Sequence, residues 1–138
     1  MFHKIMIVGN LGRDPEMRYT PAGKPVTNFS VATNRKWTNA DGTPGEETTW
    51  FRVSAWGRMA EVCNEYLSKG RLVMVEGTMI SENGNPRVWT AGSDGVARAR
   101  FEVNASMVKF LGGGRDNGTT EEEGPPMADE PEEEGLPF

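Results

Sequence analysis

Apolar and polar positions alternate along the chain as far as Leu111, most clearly between Thr48 and Trp56. Successive side chains of a β-strand point to opposite faces of its sheet. The odd positions Thr49, Phe51, Val53 and Ala55 make a core face. The even positions Thr48, Trp50, Arg52, Ser54 and Trp56 set two indoles around a guanidinium, with hydroxyls between. A core does not accept Arg52, and a plain solvated face has no use for two indoles. Flat aromatics beside a cation suit stacked bases and a phosphate backbone. A sheet packed on both sides with Arg52 at its edge gives the same pattern, so this stretch alone leaves both readings open.

The remaining elements follow from the same period. His3 to Leu11 is a first strand, with Ile5 and Ile7 on one face and Met6 and Val8 on the other. One apolar face lines a core and the second needs cover, for which another subunit is a candidate. Gly9 and Gly12 loosen its exit before the Asp14-Pro15 turn. Pro25 to Trp37 is a long second strand, with Phe29, Val31 and Thr33 on one face and Asn28, Ser30 and Ala32 on the other. Strict alternation places Trp37 with Phe29, although a bulge in so long a strand would change that. The turn-rich run 39–45 predicts a hairpin into the Thr48–Trp56 strand. Met59, Val62, Cys63, Tyr66 and Leu67 then recur at helical spacing, with Gly70 as the expected stop. Leu72 to Ile80 predicts a fourth strand. Ala97 to Phe110 predicts a fifth, with Phe101, Val103, Ala105 and Met107 on one face. Turn clusters flank Arg87-Val88-Trp89 between them. Three strands, one helix and two strands, with hairpins at the second–third and fourth–fifth junctions, predict an all-β fold with one helix. This is the element order of a five-stranded OB-fold barrel.

Composition changes this picture at one place. All 15 basic residues lie within 1–115, beside 11 acidic ones, whereas 116–138 holds nine acidic residues and no basic one. The overall charge of −5 therefore hides a mildly basic body and a strongly acidic tail. Such asymmetry points to a polyanionic partner for the body. From Gly112 the chain turns to Gly, Pro, Glu and Asp, a composition that predicts a disordered acidic C-terminal tail. The expected division is 1–111 as the folded domain, 112–128 as a flexible linker and 129–138 as an acidic tip ending in Leu136-Pro137-Phe138. A single cysteine cannot form an internal disulfide. No apolar run follows the N-terminus as a signal peptide would require. A cytoplasmic location is expected.

Catalytic and metal chemistry find little support. One histidine, His3, and one cysteine, Cys63, supply neither zinc spacing nor a Cys–His pair. Gly9-Asn10-Leu11-Gly12 lacks the Gly-Lys-Ser/Thr ending of a phosphate loop. No enzyme, cofactor or metal is expected. The basic residues group with the tryptophans instead. Arg35 and Lys36 adjoin Trp37, Arg52 lies between Trp50 and Trp56, Arg58 follows Trp56, and Arg87 precedes Trp89. Base–aromatic stacking contributes about 1–3 kcal/mol per base and tolerates any base. A duplex offers no exposed base face to such rings, so single strands are favoured.

Val8-Gly9-Asn10-Leu11-Gly12-Arg13-Asp14-Pro15-Glu16, the strand Thr49-Trp50-Phe51-Arg52-Val53, Glu65-Tyr66-Leu67 within Ala60 to Gly70, Val75-Glu76-Gly77 and the Leu136-Pro137-Phe138 end occur in an order and spacing similar to bacterial single-stranded DNA-binding proteins. The resemblance implies an OB-fold assembled as a homotetramer, partly through the first strand, with single-stranded DNA wrapped around it without sequence preference. It implies base stacking by Trp37, Trp50 and Trp56, and similarly by Trp89, in a fourth–fifth strand loop that is longer here. It implies that the tip, with Asp129, Glu130, Leu136, Pro137 and Phe138, docks on replication, recombination and repair proteins of the bacterial nucleoid. Gly135 stands before Leu136 where relatives commonly carry acidic residues. A specialised RNA-binding OB module and a structural barrel with tryptophans in its core are the competing readings. Poly(dT) binding with fluorescence quenching, and a DNA-against-RNA comparison, separate the three.

Overall fold

The computed structural model describes residues 1–90 and 92–112. The linker and tip expected at 112–128 and 129–138, with Asp129, Glu130, Leu136, Pro137 and Phe138, lie outside the described residues except for Gly112. Among the described residues the elements are β1 (Ile5–Leu11), β2 (Glu16–Tyr19), β3 (Pro25–Thr38), β4 (Pro44–Trp56), α1 (Arg58–Tyr66), β5 (Leu72–Met79), β6 (Val88–Thr90), β7 (Ala97–Ala99) and β8 (Phe101–Leu111). The main sheet runs β1-β5-β8-β4-β3-β2, and a further β1–β3 pairing closes five of its strands into a barrel. All neighbours are antiparallel except β4 and β8, which pair in parallel. This is the predicted all-β OB-fold with one helix.

Closure depends on β1 serving two partners. Ile5 to Asn10 pair with β5, while Asn10 and Leu11 pair with Ala32 and Val31 of β3. Gly9, expected only to loosen the strand's exit, sits inside this junction. A Cβ there would collide with the Ala32 carbonyl oxygen, so glycine permits the two strands to converge. Ile7, Leu11, Phe29, Val31, Val53, Ala55, Val73, Val75 and Val103 fill the barrel, as the alternation predicted for β1, β3 and β4. Met6 and Val8 on the opposite face of β1 are 58% and 49% exposed, so among the described residues that apolar face has no cover.

The helix lies against β3. Thr27 Oγ1, fully buried, donates a hydrogen bond of 2.6 Å to the Ala60 carbonyl. Cys63 and Leu67 are buried as expected, but Ala60 is buried too and Tyr66 stays 58% exposed beside Phe110. The helix ends at Tyr66 rather than near Gly70, because Leu67 turns to extended backbone as it enters the core. Gly70 instead takes a positive φ of 86° in the following turn.

Two further differences lie in the last third. The fourth–fifth junction is not a simple hairpin but carries its own two-stranded ribbon, β6–β7. The predicted fifth strand is accordingly divided at Arg100 into β7 and β8. A register shift between Glu76 and Gly77 then bulges β8 at Ser106. The extra residue reverses parity. Val108 and Phe110 therefore pack against the core beyond the bulge, not Met107.

Candidate nucleic-acid interface

The β3–β4 hairpin carries the tryptophans in an unbroken register from Val26↔Trp56 to Thr38↔Pro44. No bulge intervenes, so parity holds along its whole length. Trp50, Arg52, Ser54 and Trp56 share the outer face, opposite Ala32, Ser30, Asn28 and Val26. Trp50 and Arg52 are half-buried and Trp56 is 38% exposed. Trp37 and Arg35 have the other parity and lie on the reverse face, where residues 34–44 are exposed and the hairpin extends past the barrel. The indole of Trp37 lies against Gly45, its register partner, in space that any larger residue would fill. Its Nε1 donates to Asn39 Oδ1 at 2.9 Å.

Cations lie over the indoles of Trp37, Trp56 and Trp89. Arg35 Cζ is 4.9 Å from the Trp37 ring centre, Lys24 Nζ 5.5 Å from that of Trp56, and Arg100 Cζ 5.1 Å from that of Trp89. Of these cations only Arg35 is a sequence neighbour of its indole. Arg58, two residues after Trp56 in sequence, pairs with Glu61 on the helix at 3.2 Å. Arg35 also pairs with Glu47 across the hairpin at 2.9 Å, and Lys36 is exposed beside it.

A groove of about 740 Å³ opens beside the outer face of β4. Trp56 and Arg52 form part of its wall, joined by Arg18, Tyr19, Arg87 and Arg100. Ser54 Oγ donates to Asn28 Oδ1 at 2.7 Å, and Trp56 Nε1 donates to Asn104 Oδ1 at 3.2 Å, so polar contacts fix both side chains along this wall. Arg87 reaches the buried Glu102 at 2.5 Å. Trp89 is half-buried on the ribbon, opposite Arg98. The structure thus gathers Trp56, Arg52 and Arg87 in one groove, keeps Trp50 on the same strand face with Lys36 farther out along it, and puts Trp37 and Arg35 on the reverse face. Sequence reasoning missed Arg18, Tyr19, Lys24 and Arg100. Nothing in the sequence around Met17-Arg18-Tyr19 marks the groove.

Among the described residues no cluster of His, Cys, Asp and Glu could hold a metal ion, and no helix is long and apolar enough to cross a membrane. Burial pushes the Cys63 thiol up to about 11. At the hairpin tip, the Thr43 hydroxyl and amide donate to Asp41 and hold its carboxyl below the usual value. Hydrogen bonding from the Val96 amide, aided by Arg98, does the same for Asp94 at the ribbon turn.

A closed OB-fold barrel with an aromatic, arginine-lined groove on one wall defines the class, a small β-barrel of the OB type. Comparison with known proteins narrows it. The Single-strand binding protein family matches residues 2–111, and the chain belongs to that family. It is 40% identical over 124 residues to the single-stranded DNA-binding protein of Neisseria meningitidis, covering 88% of this chain and 68% of that one. With single-stranded DNA-binding protein 1 of Chlorobaculum tepidum it shares 36% over 118 residues, 86% of this chain and 70% of the other. Among solved structures it is similar to the Plasmodium falciparum SSB in complex with ssDNA, with a TM-score of 0.66 and 25% identity, covering 81% of this chain and 96% of that one. It is also similar to a deletion mutant of the single-stranded DNA binding protein from Thermus aquaticus, with a TM-score of 0.62 and 28% identity over 80% of this chain and 50% of the other.

Proposed function

We propose that this protein binds single-stranded DNA without sequence preference and protects it during replication, recombination and repair. The observation that carries the reading is the outer face of β4, where Trp50, Arg52 and Trp56 run into the arginine-lined groove. Rings that stack on any base, next to cations that meet any phosphate, bind a strand by its common features rather than its sequence. Family membership and the DNA complex of the Plasmodium relative support the same reading. Trp37 with Arg35 and Lys36, Trp89 with Arg87, and Arg58 on the helix are the further contacts, placed so that a bound strand passes over more than one face. The reading asks for binding alone, with no chemical step, cofactor or metal.

The uncovered face with Met6 and Val8 is assigned to assembly of a homotetramer. Residues 112–128 are assigned as linker and 129–138 as the tip that recruits partner proteins on the bacterial nucleoid, in the cytoplasm. Phe138 offers a ring and a carboxylate that an apolar pocket rimmed by Arg or Lys could capture together.

Titration with poly(dT) at several salt concentrations, followed by tryptophan fluorescence, tests the core of this reading. Strong quenching and tight binding that weakens with salt are expected. No binding, or equal preference for poly(U), would overturn it. For the tip, deleting 129–138 is expected to preserve DNA binding while abolishing recovery of partner proteins from bacterial lysate. Equal recovery by both forms would remove the recruiting role.

A further inference from the structure

The ribbon β6–β7 stands on two feet. Arg87 immediately precedes β6 and Arg100 immediately follows β7. Both reach one carboxylate, that of Glu102, at 2.5 Å for Arg87 Nη2 and 3.5 Å for Arg100 Nε. Glu102 is only 6% exposed, and Arg100 and Arg87 are 14% and 30% exposed. A buried carboxylate held by two guanidinium groups is costly to separate from them, so the three groups move as a unit. Arg100 also covers the Trp89 ring, and Glu102 is the register partner of Arg52 in the parallel β4–β8 pair. One acidic side chain thus ties both ends of the ribbon, and through Arg100 its tryptophan, to the strand that runs beside Arg52. A negative charge in a groove meant for a polyanion opposes that purpose by charge alone. Its retention there needs a different account.

We propose that Glu102 is a positioning residue: it clamps both feet of the ribbon to the barrel and so fixes Trp89, beneath the groove-lining Arg100, for single-stranded DNA. Its contribution to DNA binding rests on the proposed function, whereas the clamp itself does not. Without the carboxylate the two arginines lose their common anchor and Trp89 its fixed setting.

The test uses Glu102→Gln in the full chain, with Arg87→Gln, which releases one foot, as a second variant in case the first folds poorly. Hydrogen exchange is measured first, without DNA. Faster exchange in 86–100, with β1, β3 and β5 unchanged, is expected in both variants. Unchanged exchange in the ribbon overturns the clamp whatever the DNA results. Oligo(dT) affinity is then measured for the wild type, Glu102→Gln, Trp89→Ala and the double variant. Positioning predicts that Glu102→Gln weakens binding by about fivefold or more, the lower end of one lost stack. It also predicts that adding Trp89→Ala costs little further. A purely electrostatic role predicts tighter binding on removing the charge, and a purely structural role predicts additive losses; either result overturns positioning. Failure of the wild type to bind oligo(dT) would refute the proposed function while leaving the exchange result to decide the clamp.

Discussion

Trp56→Ala separates a binding tryptophan from a packing one. The indole is 38% exposed, so roughly three fifths of a side chain that covers about 200 Å² is removed from water. At about 25 cal/mol per Å² this burial is worth at most about 3 kcal/mol, less what alanine retains. Domain stabilities are about 5–15 kcal/mol, so the variant should remain folded at 25 °C. The hydrogen bond from Nε1 to Asn104 is lost, but both groups are solvent-accessible and water replaces it. Lys24 loses the ring beneath it and keeps its charge. Stability should therefore fall by about 1–3 kcal/mol. Single-strand binding should fall by about 1–3 kcal/mol as well, through a different cause, the loss of one base stack. That corresponds to about 5- to 150-fold in affinity. The assay is anisotropy of a labelled oligo(dT), paired with a urea melt of the same sample to give the folded fraction. Tyr66→Ala serves as the control, since Tyr66 is exposed against Phe110 and does not line the groove. It should leave affinity unchanged. Affinity of the folded Trp56→Ala protein within twofold of wild type, or an equal loss in Tyr66→Ala, would refute the stacking role.

Other expectations follow from single contacts. Gly77→Ala should destabilise by about 3 kcal/mol, because its Cβ would collide with the Asn104 carbonyl at the bulge, where backbone cannot yield. Gly45→Ala first meets the exposed Trp37 ring, which can turn aside, so stability should stay within about 1 kcal/mol while Trp37 emission shifts; denaturation curves and fluorescence of both variants check this. Arg52→Gln should weaken oligo(dT) binding and reduce the slope of log affinity against log salt by about 0.7, as one phosphate contact is lost; an unchanged slope would remove Arg52 from the contact set. The Cys63 thiol, raised from 9.0 to about 11, binds its proton more tightly in the folded state. Stability from this group is intact below pH 9.0 and declines as pH rises through about 11. Cys63→Ala should lack that component of the alkaline decline, measured by urea unfolding at stepped pH.

The barrel was legible because its strands alternate for long uninterrupted stretches. In β4 each odd residue from Thr49 to Ala55 turns inward and each even one outward, as the sequence reads. Legibility ends where spacing is set by a partner strand. Nothing around Ser106 marks a bulge, yet the bulge moves Val108 and Phe110 to the core and Met107 off it. The nearest trace is Gly77, whose missing Cβ admits the Asn104 carbonyl. Ala60 escaped notice on the helix for a similar reason. Its value lies in being small where Thr27 reaches its carbonyl, and small size gives no hydrophobic signal.

Strand register as well as proximity in sequence sets which cations lie over the tryptophans. Cations nearby in sequence suggest a ring-and-cation surface, and Arg35 does lie over Trp37, but Lys24 over Trp56 and Arg100 over Trp89 come from farther along the chain. Lys24 reaches Trp56 from two residues before Val26, the register partner of Trp56. Arg100 reaches Trp89 from two residues beyond Arg98, the register partner of Trp89. Both are diagonal cross-strand neighbours, which lie within reach of long and aromatic side chains. Adjacent residues of one strand point to opposite faces, so the nearest cation in sequence is often directed away from the ring. A chain rich in both side chains forms such contacts in some register, and alternation alone reveals that the surface exists. Which cation covers which ring is decided by hairpin and ribbon register. Substitutions that shift register, rather than those that change composition, should therefore be the most damaging to this surface.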